Sequence, residues 1–259
     1  MTNKELVIQR HIWASSDVWD EVKTLRRKRP KLVLSITGDS TTFVPKPWLT
    51  PVLKTGLIET ARGAKDCLIF NKGSSQRVSS IVRDAIEDFS ILQADDSFIS
   101  LIGFLTKDSE PYESNINSHI AREKHKRGVF HDSFKVSANE TTYPQFHADA
   151  LSDIAERKVV FMKLKDEYLE WRVPVLTIVV EGDLQTIKTV FHVLKKNLPV
   201  LVLKGSGKAA DFISCFIEAE GTDPDGYIKD KSSILFGIIS PKDEMLKDYM
   251  TTIHENRCL

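Results

Sequence analysis

PVLVLKGSGKAADF, residues 199–212, runs from an apolar stretch through a glycine pair into a helix-forming segment. The first five residues are short, branched and apolar, as in a buried strand. The last five favour a helix. A bare turn needs one glycine, yet Gly205 and Gly207 flank Ser206, so something approaches the backbone closely there. Strand, glycine loop, helix is the unit of a parallel α/β sheet, and the rest of the chain repeats it.

KLVLSIT (31–37) is a strand ending at Gly38, followed by the turn-rich GDSTTFVPKPW. LTPVLKTGLIETARGAK (49–65) is a helix, with Thr50 expected as its N-cap and Pro51 at the first helical position. CLIFN (67–71) is a second strand and RVSSIVRDAIEDF (77–89) an amphipathic helix. FISLIGF (98–104) is a third strand. VPVLTIVVEG (173–182) is the strongest strand, and DLQTIKTVFHVLKKN (183–197) is a helix capped by Asp183. KAADFISCFIEAE follows the last glycine pair as a helix. The order is that of a doubly wound, mainly parallel sheet.

Other stretches depart from this rhythm. Residues 1–30 are polar and basic, and read as an arm or helix docking through Trp13 and Trp19. Residues 105–145 form a long polar insertion, and 146–170 are helical in part. Residues 221–259 extend the same domain, with SSILFGIIS as a strand or helix and a polar C-terminal helix.

Composition narrows the function. With 36 basic and 36 acidic residues the net charge is +0, and a nucleic-acid partner is not expected. RRKR (26–29) and REKHKR (122–127) read as solvated faces. The three cysteines, Cys67, Cys215 and Cys258, form no CxxC pair, which fits a reducing compartment. No apolar run reaches the length of a membrane span and the N-terminus lacks a signal-peptide core, so a cytoplasmic location is expected. His119, His125, His131 and His147 have no metal-ligand spacing and read as solvated loop residues. No metal, cofactor or catalytic residue is expected.

Four strand ends carry glycine loops, at Gly38, Gly73, Gly182 and Gly205–Gly207. In open α/β sheets ligands bind beyond such ends, and a helix N-terminus suits a phosphate. Lys208 sits where the helix dipole disfavours a cation, unless an anion lies nearby. The candidate ligand contacts are Gly205, Ser206, Gly207 and Lys208, then Thr37 and Gly38, with Gly73, Ser74 and Gly182 completing the pocket. Asp211 is expected to tie the last loop in place by hydrogen bonding.

Three segments together resemble one family. PKLVLSITGDSTTFVPKP (30–47) is similar to its P-x-L-x-x-S-V-T-G-G opening and F-x-x-K-P loop. VPVLTIVVEGDLQTIKTV (173–190) is similar to its P-V-V-x-V-V-x-E-G-G-P-x-T segment, and PVLVLKGSGKAADFI (199–213) to its P-V-V-V-x-x-G-S-G-R-A-A-D segment. The family is the cytosolic N-terminal homology region of melastatin-type (TRPM) cation channels, part of the SLOG superfamily. The resemblance covers about residues 30–220 and implies a Rossmann-like, three-layer α/β fold. It implies a nucleotide-sensing module, for ADP-ribose or a related adenine nucleotide, or an assembly module that associates with other channel subunits or with itself.

This sequence departs from the pattern at informative places. The paired glycines are Gly38–Asp39 and Lys72–Gly73 here, and Asp183 puts a carboxylate, itself a good cap, where a phosphate would sit. Lys208 replaces an arginine and loses its bidentate fork. SLOG-type phosphoribohydrolases carry a catalytic glutamate in PGGxGTxxE, and Thr189 stands at that position. Threonine cannot stabilise an oxocarbenium-like transition state as a carboxylate does, so that enzyme reading is disfavoured. A structural interaction domain with a decayed pocket is the further alternative.

Overall fold

The computed structural model describes residues 10–25, 29–40, 42–73, 77–92, 98–107, 129–164, 167–219, 224–237 and 244–257. The strands are β1 (Arg10–Ile12), β2 (Leu32–Thr37), β3 (Asp66–Asn71), β4 (Phe98–Leu105), β5 (Val129–Val136), β6 (Lys158–Leu164), β7 (Glu167–Arg172), β8 (Val175–Val179) and β9 (Val200–Val202). The helices are α1 (Asp17–Leu25), α2 (Leu49–Ala64), α3 (Arg77–Leu92), α4 (Tyr143–Ala155), α5 (Leu184–Lys195), α6 (Lys208–Glu218), α7 (Pro224–Phe236) and α8 (Glu244–Glu255). Seven strands form one sheet in the order β1-β5-β4-β3-β2-β8-β9, and each pairing in it is parallel. β6 and β7 make a separate antiparallel hairpin.

A parallel sheet is covered on both faces, so its strands read as continuous apolar runs. In β2, Val33 packs under α4 with Phe70, Phe104 and Leu151, while Leu34 and Ile36 pack under α2 and α3 with Leu53, Leu57 and Val82. Each such buried side chain contributes about 1.5–3 kcal/mol relative to exposure. A third cluster joins α5 and α6 to the C-terminal helices through Ile187, Val190, Phe212, Ile213, Met250 and Ile253. The result is the expected three-layer Rossmann-like α/β fold.

Several expectations change. The 105–145 insertion contains β5, which pairs with β4 from Ile99↔Val129 to Leu105↔Lys135 and buries Phe134 and Val136. Polar residues interrupt VFHDSFKV because Asp132 meets Arg10 at 3.6 Å from neighbouring β1, so the segment lacks a continuous apolar signature. Residues 108–128 lie outside the described residues. The 146–170 region holds the end of α4 and then the hairpin. α2 starts at Leu49 with Trp48 as its cap residue, so Thr50 is inside the helix. The Leu49 N–H already donates to Lys46 O at 2.9 Å, and Leu49, Leu53 and Leu57 form the buried stripe. Of the two N-terminal tryptophans, Trp19 is buried and Trp13 is 75% exposed. SSILFGIIS begins inside helix α7, and residues 238–240 lie outside the described residues.

Candidate functional site

Chain order along the sheet reverses between β2 and β8. From β2 the chain builds β3, β4 and β5 to one side, while β8 and β9 lie on the other. The loops leaving β2 and β8 therefore diverge, and a crevice opens at their carboxyl ends. Thr37, Gly38, Gly182 and the Gly205–Lys208 loop come together around it. Thr37 O accepts from Val180 N at 2.9 Å. A Cβ on Gly38 would stand 2.1 Å from the Val180 carbonyl oxygen, so only glycine lets the two strand ends approach. Gly182 has φ +87, and a Cβ there would meet the Thr186 side chain at 2.4 Å. Gly73 lies instead against Gly103 at the end of β4, and its N–H donates to Asn71 Oδ1 at 2.9 Å. Ser74 lies outside the described residues.

The helix N-termini at this crevice receive acceptors from the chain itself. At α3, the Ser79 N–H donates to Asp39 Oδ1 at 3.0 Å and the Ser79 hydroxyl to Asp39 Oδ2. Arg77 Nη1 donates to Asp39 O at 2.9 Å. Burial pushes the Asp39 carboxyl up, while the Ser79 hydrogen bonds and the charges of Lys72 and Arg77 oppose the shift. At α5, Asp183 Oδ1 accepts from Gln185 N at 2.9 Å and Thr186 N at 3.2 Å, and Thr186 Oγ1 accepts from Asp183 N at 3.2 Å. This reciprocal box is the expected cap. At α6, Ala210 N donates to Glu181 O at 2.9 Å and Ala209 N to Gly182 O at 3.3 Å.

Glu181 is the centre of the arrangement. It is 4% exposed. Its Oε2 accepts from Gly182 N at 2.6 Å and Ser40 N at 3.3 Å, and its Oε1 accepts from the Ser40 hydroxyl. Glu181 N donates to Ser206 Oγ at 2.8 Å, and that hydroxyl donates onward to Leu203 O at 2.6 Å. The Ser206 hydroxyl thus bridges the β8 and β9 loops. Asp211 Oδ1 accepts from Gly205 N at 2.5 Å, which is the tie expected of it. The loop after β2 closes over the same turn: Lys46 Nζ donates to Gly205 O, and Lys208 Nζ to Thr42 Oγ1.

Sequence reasoning missed Asp39, Ser40 and Glu181 as parts of the site. The signals were present, since Asp39 replaces a glycine and Glu181 precedes Gly182, but their partners are 40 and 141 residues away. The buried Thr189 hydroxyl donates to Gln185 O at 2.9 Å within α5. His147 is a core residue rather than a solvated one. Its Nε2 lies 2.6 Å from Ser35 Oγ and its Nδ1 2.9 Å from the Tyr143 hydroxyl, and burial lowers its pKa to about 4. His131 lies on β5, while His119 and His125 lie outside the described residues. Among the described residues no His, Cys, Asp or Glu group could hold a metal, and no helix is long and apolar enough to cross a membrane.

Comparisons with known proteins agree with this architecture. A family model described as "SLOG in TRPM" matches residues 16–240. Transient receptor potential cation channel subfamily M member-like 2 of Nematostella vectensis is 27% identical over 218 residues, covering 74% of this chain and 14% of the relative. Subfamily M member 1 of Mus musculus is 30% identical over 206 residues, 74% of this chain and 12% of the relative. Subfamily M member 2 of Mus musculus is 22% identical over 200 residues, 71% and 13% respectively. The chain therefore spans about one-seventh or less of the length of these curated relatives, and it belongs to the SLOG family found in TRPM channels.

Proposed function

We propose that the chain serves as a non-enzymatic, cytosolic assembly module of a TRPM-type channel subunit, with its strand-end crevice closed by its own acceptors. The observation that carries this reading is the capping of α3 by Asp39, of α5 by Asp183, and of α6 by the Glu181 and Gly182 carbonyls. A nucleotide's phosphates would need those same first-turn N–H groups. They would also face the Glu181 and Asp183 carboxylates. Each like-charge pair at roughly 5 Å costs about 3 kcal/mol at an effective dielectric of about 20.

A nucleotide-sensing reading has one observation in its favour. Lys46, Lys208 and Arg77 ring the same crevice, and the Lys208 ammonium donates to a neutral group there, the Thr42 hydroxyl. In that reading Thr37, Gly38, Gly73, Ser74, Gly182, Gly205, Ser206, Gly207 and Lys208 would contact ADP-ribose or a related adenine nucleotide. Calorimetry on the purified chain with ADP-ribose, AMP and NAD separates the two. The assembly reading expects no saturable heat at millimolar nucleotide. Saturable binding that weakens in Lys208→Ala would replace it with the sensor.

A further inference from the structure

Helices α4 and α5 lie side by side, tied by Lys188 Nζ donating to Thr141 O at 2.8 Å and by Lys196 Nζ against Asp149 Oδ1 at 2.7 Å. Along the groove between them is a cavity of about 380 Å³. Gln145, Ala148 and Asp149 line it from α4, and His192, Lys195 and Lys196 from the end of α5. Both triads have the spacing i, i+3, i+4, which puts each on one helix face. Ala148 is fully buried and contributes only a methyl group. The volume falls within the range of small-molecule sites, roughly 300–1,000 Å³. None of these residues belongs to the strand-end crevice.

We propose that the α4–α5 groove is an anion site that takes a tetrahedral dianion of the phosphate or sulfate kind. Two lysines and one carboxylate line the cavity, and the carboxylate, Asp149, is engaged by Lys196. Asp153 and Glu156 act on Lys196 as well, from further along α4. The Lys195 ammonium lies 4.4 Å from the Phe191 ring centroid, an attraction that leaves its charge uncancelled. His192 is half-buried beside it. Lys188, Lys195 and Lys196 surround His192 on α5, and Asp149 faces it from α4. Burial first, and then the three lysines, push its pKa down, while Asp149 opposes them. Lys188, His192 and Lys196 stand at i, i+4 intervals, where like charges oppose one another. A dianion in the cavity reverses that field. It matches Lys195 together with a protonated His192, and Gln145 adds an amide donor. Binding therefore takes up a proton at His192, so affinity rises as pH falls.

The test titrates the full chain with sulfate, which stays a dianion between about pH 5 and 8, and follows the His192 imidazole by NMR. His192→Gln assigns the resonance by its loss. Saturating sulfate should raise the His192 pKa above its value in chloride at the same ionic strength. Sulfate should bind more tightly toward the acid end of that range, and inorganic phosphate should displace it. Lys195→Gln should weaken binding by about tenfold, the scale of one hydrogen bond to a charged group. Asp149→Asn should tighten it, because a repelling carboxylate is removed and Lys196 is released, a gain that a misfolded variant would not show. A His192 pKa that moves equally in chloride and sulfate reports screening of the lysines alone and overturns the site. Sulfate binding that weakens in Lys208→Ala and not in Lys195→Gln places the anion in the strand-end crevice and overturns it as well.

Discussion

In the crevice, Asp39, Glu181 and Asp183 each meet hydrogen-bond donors from their own chain. On the hairpin, Leu169 and Trp171 meet water. The two regions treat the same requirement in opposite ways. A polar group taken from water needs a partner, and an apolar group left in water gains by finding one. The crevice has closed this account internally. The hairpin has left it open.

The strongest way to break the contrast is to remove the centre of the crevice. Glu181→Ala leaves the Ser40 N–H, the Ser40 hydroxyl and the Gly182 N–H without their acceptor. The chain should lose about 4 kcal/mol of stability in urea unfolding, because each buried donor left without an acceptor costs about 1–3 kcal/mol. A loss below about 0.5 kcal/mol, the scale of an ordinary surface change, would mean that the crevice is not closed by this side chain.

The next effect sharpens the comparison at the core, where the same rule applies to an imidazole. His147 has a folded-state pKa of about 4, against about 6.5 in the unfolded chain. Between those values the unfolded chain binds more protons, so stability rises with pH. It is fully present above about pH 6.5 and is lost as pH falls toward 4, by about 3 kcal/mol in all. Urea midpoints at neutral and acid pH should show this slope, and His147→Gln should flatten it. An unchanged slope in that variant would assign the acid sensitivity to other groups.

Asp183→Ala probes one cap rather than a network. It should cost about 1 kcal/mol in the same unfolding assay, since Thr186 keeps its hydroxyl but loses its reciprocal partner. The smallest effect should come from the hairpin itself. Trp171→Ser should change monomer stability by no more than about 0.5 kcal/mol, measured at a concentration below any association. A large loss would place Trp171 in the fold rather than on a free face.

The sheet strands were legible where both faces are covered. KLVLSIT and VPVLTIVVEG read as strands because α2 and α3 cover one side of the sheet and α4 the other. The Asp183 cap was legible because its partners lie two and three residues on. So was the Asp211 tie, six residues from Gly205. β5 was not, since Asp132 makes polar sense only beside Arg10 of β1, far back in the chain. His147 was misread for the same reason, as Ser35 is 112 residues away.

By itself, then, the sequence determined the parallel α/β architecture, the strand-end glycine loops and the local caps, because those depend on periodicity and on neighbours within a few residues. It also carried the family. The tertiary structure alone decided what fills the crevice. Ser40 reaches Glu181, Asp39 reaches Ser79 and Lys46 reaches Gly205 only after β2 is laid between β3 and β8, with β9 beside β8. It likewise decided that Trp171 stays outside, because among the described residues β7 pairs with β6 in a separate hairpin and not with the seven-stranded sheet. Hydrogen bonds between distant segments leave no periodic trace in the chain, and so they become visible only when the fold brings their ends together.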